Sequence, residues 1–170
     1  IPRQAGALAM LGTRVRLPDH TVAAPEEISL SGATLRLTPV ATAHTDNDLT
    51  VFDGASGTLF AGYLVFLSHL PTIDGSLLGW MRQLDELASI ESTQIVPGHG
   101  PAPSAWPDAP KAQRQYFDVL ARDIRKSIAE GQSISEAAKT AAQSESGNWA
   151  LFEEFNERNA TVAYAELEWE

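Results

Sequence analysis

Cysteine is absent from this 170-residue chain. Its absence removes disulfides, thiolate metal sites and cysteine nucleophiles together, and leaves the redox compartment undetermined. Basic residues are scarce, with 12 Lys and Arg against 22 Asp and Glu, for a formal net charge of −10. That balance argues against nucleic acid and against an anionic membrane as partners, because both recruit basic surface. Apolar runs are short, and none approaches the roughly 18 residues of a spanning helix. No stretch of these residues reads as a signal peptide, an internal repeat or a low-complexity tract. Gly54-Ala55-Ser56-Gly57 is too short for a phosphate-cradling loop and lacks a following lysine. An initiator Met is also missing. The chain opens on Ile1-Pro2, which reads as a fragment or a processed product.

What remains has the composition of a globular protein, 44% hydrophobic and 20% charged, long enough for one domain with a sizeable core. Residues 34–40 alternate apolar and polar side chains with period two and predict a half-buried strand. Leu49–Phe52 and Thr58–Gly62 are further short strands around the turn Gly54–Gly57, and Thr93–Val96 is another. Ile28–Leu30 precedes Ser31-Gly32-Ala33, which reads as a hairpin. Gln4–Leu11 is expected to end a helix at Gly12, with a short strand over Thr13–Leu17. Asp74 is the expected N-cap of a helix carrying Leu77, Trp80, Met81, Leu84, Leu87 and Ala88 at core spacing. Pro101–Pro110 reads as an extended crossing loop, and Asp108 as the cap of a helix with the stripe Phe117, Leu120, Ile124 and Ile128. Ser133 with Glu136 is a capping box for a helix over Ile134–Gln143. The tail from Trp149 to Leu167 carries its aromatics on one face, expected to pack on the sheet.

Two strand ends carry candidate chemistry. After the first long strand comes His44-Thr45-Asp46-Asn47-Asp48, an imidazole beside carboxylates on a loop, where scaffolds place functional groups. Further on, Ile95-Val96-Pro97-Gly98-His99-Gly100-Pro101 presents one imidazole from a glycine-framed turn, and glycines let the backbone approach what the imidazole faces. Neutral imidazole is the commonest metal ligand. His69 follows the strand that leads to Tyr63 and lies on a loop before Asp74. His20 falls in a polar loop and reads as a surface residue.

Taken together, AHTDNDL, TLFAG-x-LVF and IVPGHGP resemble the C-terminal half of the metallo-β-lactamase superfamily. The resemblance runs closest to the zinc metallohydrolases associated with quinoprotein relay systems, including relatives of the sulfur-oxidation type, and LPTIDGSLLGW and RNATVAYAELE extend it along nearly the whole chain. It implies an α/β (α+β) fold, the C-terminal half of an αββα sandwich, with a mostly antiparallel sheet and packed helices. Residues 1–170 then form one partial domain, with strands, site loops and one helix in 1–105 and a helical part in 106–170. His44 and His99 match metal ligands. Asp46, Asp48, Tyr63 and His69 are expected behind the ligands or facing substrate, with Asp48 fixing the loop. The implied cofactor is zinc, activating water against an ester, thioester or lactam of a small-molecule substrate in a periplasmic setting. Two departures bear on activity. No His-x-His-x-Asp-His motif is present, and Tyr63, a phenol that is neutral at pH 7, stands where the family carries a metal-bridging aspartate. This chain alone is therefore expected to hold zinc weakly and to be inactive. The alternative is a non-catalytic scaffold or binding module. The inner sheet face is expected to be covered by the missing N-terminal half or by a second copy.

Overall fold

A computed structural model describes residues 12–170; the expected helix over Gln4–Leu11 lies outside them. Within these residues six strands form one sheet in chain order: β1 (Glu26–Leu30), β2 (Ala33–Pro39), β3 (Leu49–Asp53), β4 (Thr58–Phe66), β5 (Gln94–His99) and β6 (Ser104–Ala105). Neighbours are antiparallel except β4 and β5, which are parallel. A parallel pair needs a crossover, and α1 (Leu77–Ala88) supplies it. The helical part is α2 (Lys111–Ala129), α3 (Ile134–Thr140) and α4 (Phe152–Leu167). This is a mixed sheet with packed helices. Among the described residues no helix is long and apolar enough to cross a membrane.

Local chemistry explains most element boundaries. Between β1 and β2 the two loop residues Ser31 and Gly32 have φ of 52° and 87°, the geometry whose twist matches paired strands. The N-cap of α1 is Ser76, not Asp74: its side chain accepts from the Gly79 N–H. The charge comes from far along the chain, where the Glu166 carboxylate accepts from the Ser76 hydroxyl at 2.6 Å and the Leu77 N–H at 2.7 Å. A carboxylate there satisfies orphan donors and opposes the helix dipole. Asp74 instead pairs with Arg158 of α4. Asp108 likewise pairs with Lys111 rather than capping α2, whose N-cap is Pro110. The Ser133–Glu136 capping box opens α3, which ends at Thr140 because Ala141 turns to extended backbone.

The core lies between the helices and one sheet face. Leu59, Ala61 and Ile95 meet Trp80, Leu84, Phe117 and Leu120, all buried. Four polar side chains, Gln113, Asn159, Tyr116 and Asn156, are buried among them with their hydrogen bonds satisfied. Gln113 accepts from the Phe66 N–H at 2.8 Å and donates to the Leu64 carbonyl at 3.1 Å. Asn159 accepts from the Ile73 N–H at 3.0 Å and donates to the Pro71 carbonyl at 2.7 Å and the Tyr116 hydroxyl at 3.1 Å. Tyr116 in turn donates to Asn156 at 3.0 Å; burial pushes its phenol well above the ordinary range. The tail α4 packs mainly on α2 and α3 rather than on the sheet.

The other sheet face is different. Cross-strand register places Leu37, Val51, Phe60 and Val96 in one row and Ile28 beside Leu35 on the same face. Thr34 and Arg36 point to the helix side. The alternation of β1 and β2 thus turns apolar residues away from the helices, and among the described residues no element covers them. Residues 13–17, expected as a strand, are irregular: Val15 is 91% exposed, and among the described residues no strand pairs with them. Alternation without a partner does not make a strand, since isolated pairing is marginal in water.

Candidate functional site

The loop between β2 and β3 is held from within and from behind. Asp48 accepts from the Thr45 N–H at 2.8 Å and the Thr45 hydroxyl at 3.0 Å, which closes the turn that carries His44. Asp46 is exposed and bonds only its neighbour Asn47. Behind the loop, the His44 carbonyl accepts from the Asp74 N–H at 3.0 Å. The His44 ring donates through Nδ1 to the Thr72 carbonyl at 2.8 Å. A carbonyl can only accept, so in the neutral ring the lone pair is on Nε2.

His99 reaches the same edge from β5. It pairs with Phe66 at the end of β4, and its carbonyl accepts from the Leu67 N–H at 2.9 Å. Gly100 makes this approach possible: its φ is 121°, and a Cβ there would lie 2.6 Å from Leu67 Cβ. The His99 ring stacks on Phe66 at 4.7 Å and meets His69 at 4.2 Å.

Tyr63 lies against both imidazoles. A register irregularity in β4 and the positive φ of Gly62 (53°) turn it onto the open edge. Its ring stacks on His99 at 5.1 Å and meets the His44 ring edge-on at 5.5 Å. The ring sits in a recess above Gly98, where an added Cβ would come within 2.4 Å of Tyr63 Cδ1. His20 is remote from this edge and bonds Glu26 at 2.8 Å.

The edge thus holds His44, His69 and His99 around Tyr63 and Phe66. Zinc normally takes at least three protein ligands. Among the described residues no three His, Asp or Glu side chains are grouped to hold a metal. Asp46 and Asp48 are engaged in their own loop, and Tyr63 presents a ring face to His99. The residues of this chain do not fit a zinc site by themselves.

Residues that sequence patterns did not single out hold the site from behind. Asn159 grips Pro71 and Ile73, the two neighbours of the carbonyl that orients His44. Gln113 fixes the Leu64–Phe66 backbone between Tyr63 and His69. Their signal was a polar residue inside an otherwise apolar helical stripe, as Gln113 stands one turn before Phe117.

Burial, then the neighbouring His69 and His44, lowers the His99 pKa from its ordinary 6.5. A base with a depressed folded-state pKa contributes stability that is present above the unfolded value and lost as pH falls through the folded one. The melting temperature should therefore drop between pH 7 and pH 5, and the drop should be shallower in His99→Gln. Equal slopes in the two proteins would remove His99 as the cause.

No protein-family model matches the sequence, and no curated protein matches it. Solved structures do. A metallo-beta-lactamase family protein from Thermus thermophilus superposes with TM-score 0.64 at 18% identity, over 87% of this chain and 47% of that one. A metallo-beta-lactamase from Pontibacter korlensis gives 0.54 at 20% identity, over 66% and 54%. The sec-alkylsulfatase Pisa1 from Pseudomonas sp. gives 0.61 at 14%, over 84% and 25%. This chain spans about half the length of the first two. The six-stranded mixed sheet with its four helices is part of the metallo-β-lactamase fold.

Proposed function

We propose that this chain is the half of a metal-dependent hydrolase that carries His44 and His99, with the remaining zinc donors supplied by a second layer of the fold. The substrate class is a small-molecule ester, thioester or lactam. The motifs AHTDNDL, TLFAG and IVPGHGP favour the branch associated with quinoprotein relay systems, for which a periplasmic setting is expected. The observation that carries the reading is the meeting of His44 and His99 at one sheet edge, each in contact with the same Tyr63 ring. The open apolar face supports the second layer, because two inner sheet faces packed together bury such rows.

The test is made on the protein in its full cellular form. Zinc content is measured by mass spectrometry, and hydrolysis is assayed on a nitrophenyl ester, a thioester and a chromogenic β-lactam. Zinc and one of these hydrolyses should both be present, and both should fall in His44→Ala and His99→Ala, while the 170-residue chain alone shows neither. A zinc-free and inactive full form would instead support a binding module. Tyr63, a neutral phenol where the resemblance places a metal-bridging aspartate, favours that second reading.

A further inference from the structure

The sheet ends on an open strand, and the chain carries an unpaired segment just before it. β1 is the outer strand and pairs with β2 alone. Its hairpin loop has two residues, so Leu30 with Ala33 and Ile28 with Leu35 exchange hydrogen bonds, and the N–H and C=O groups of Glu27 and Ser29 point outward. Among the described residues nothing pairs with that edge. On the open face β1 presents Ile28 and Leu30, 40% and 60% exposed. On the other face it presents Glu27, across from Arg36. Residues 13–17 have the complementary alternation. Val15 and Leu17 are 91% and 79% exposed, and the exposed Arg14 and Arg16 alternate with them. With Val15 set opposite Ile28, an arginine falls beside Glu27 in either strand direction, Arg16 in the antiparallel one and Arg14 in the parallel one.

We infer that residues 13–17 of one copy add a strand to the β1 edge of a second copy, reciprocally. Strand addition satisfies the outward backbone groups, and alternate side chains fix its register. Val15 and Leu17 then lengthen the apolar row of the open face, while the arginines meet the acidic side of β1. Five residues on each side are too few to hold a pair, since stable interfaces take about 20–30. The exchange therefore extends a contact between the two open sheet faces. His20 is bonded to Glu26 at the start of β1, and the three residues from there to Leu17 reach about 10 Å when extended. Stacked sheets are spaced by the same about 10 Å. A two-fold axis across the strands sets the two β1 edges on one side of the pair, where this reach is enough. The inference does not rest on the hydrolase reading; it needs only a second copy over the open face.

The absence of native cysteine lets two single variants report the contact. A chain carrying Val15→Cys is mixed with one carrying Ile28→Cys under mild oxidation, and peptide mass spectrometry identifies the disulfides. The mixed disulfide should dominate, because paired cross-strand Cβ atoms lie about 5 Å apart. Trp169→Cys, 84% exposed, replaces Val15→Cys in the control and should give at least about tenfold less, since a disulfide forms only between residues brought close. In sedimentation, Arg14→Glu with Arg16→Glu should weaken association about threefold, the size of exposed charge pairs, and Glu27→Lys added to them should restore it. A wild-type chain that stays monomeric overturns the inference together with the face contact. A dimer whose mixed disulfide is no more abundant than the control overturns the exchange alone. So does a chain with both cysteines that closes its disulfide within one copy.

Discussion

Sedimented at micromolar concentration, the 170-residue chain should run as a dimer, and Leu37→Lys with Phe60→Lys should return it to a monomer. The expectation follows from which way β1 and β2 alternate. Ile28, Leu35 and Leu37 point away from the helices, while Thr34 and Arg36 point towards the helix side. Val51, Phe60 and Val96 continue the apolar row across the sheet, and Phe60 is 42% exposed. Sheets that keep one face in water place polar residues on that face; here the row Leu37, Val51, Phe60 and Val96 is apolar, while the next row passes from Ile28 and Leu35 to Asp53, Thr58 and Gln94. A contiguous apolar face of this kind marks an interaction surface. On the proposed reading a second layer of the fold covers it; for the chain by itself a second copy is the available cover. Each buried apolar side chain contributes about 1.5–3 kcal/mol. Two lysines on each of two copies should therefore abolish association, while the melting temperature of the monomer changes little. A wild-type monomer across the whole concentration range would defeat the expectation, and with it the support this face lends to a second layer.

Asn159→Ala should lower stability by about 3 kcal/mol, since it leaves buried backbone groups without partners at about 1–3 kcal/mol each. Asn159 is fully buried and bonds the Pro71 carbonyl, the Ile73 N–H and the Tyr116 hydroxyl. Alanine reaches none of them, and the site is closed to water. For a chain of this length the melting temperature should fall by about 10 °C. The same change loosens the loop whose Thr72 carbonyl holds His44, so the His44 ring should also lose its fixed tautomer, visible in the imidazole nitrogen shifts. A loss below about 1 kcal/mol, the low end for one unsatisfied group, would mean that Pro71 and Ile73 find other partners. Asn159→Asp separates charge from shape: it keeps the acceptor for Ile73 but loses the donor to Pro71, and should fall between the two.

Much of the architecture was legible because its causes are local. Period-two alternation marked β2, the Ser31-Gly32 turn marked its hairpin, and helical spacing of Trp80, Leu84 and Leu87 marked α1. The two strand-end imidazoles, His44 and His99, stood out because a loop after a strand is where side chains can converge. Asp48 was readable as a loop-fixing acceptor since its partner Thr45 is only three residues away. The short strand expected at Thr13–Leu17 failed for the opposite reason: its alternation is real, but among the described residues nothing pairs with it.

The caps went wrong where the decisive partner lay far along the chain. Asp74 has the composition of an N-cap, yet Ser76 takes that place because Glu166, ninety residues further on, accepts its hydroxyl proton and the next backbone N–H. Local pattern cannot weigh a carboxylate that arrives only when α4 docks. The site shows the same division. Residue order and spacing were enough to identify His44 and His99 as candidates and Tyr63 as the departure between them. The parallel register of β4 and β5 then decided which imidazoles meet. By pairing Phe66 with His99 it brought His69 against His99 and left His44 behind Tyr63 and Phe66. Pairing across the α1 crossover is a long-range choice, set by how the helices bury Leu59 and Ile95 together, and no stretch of sequence carries it alone.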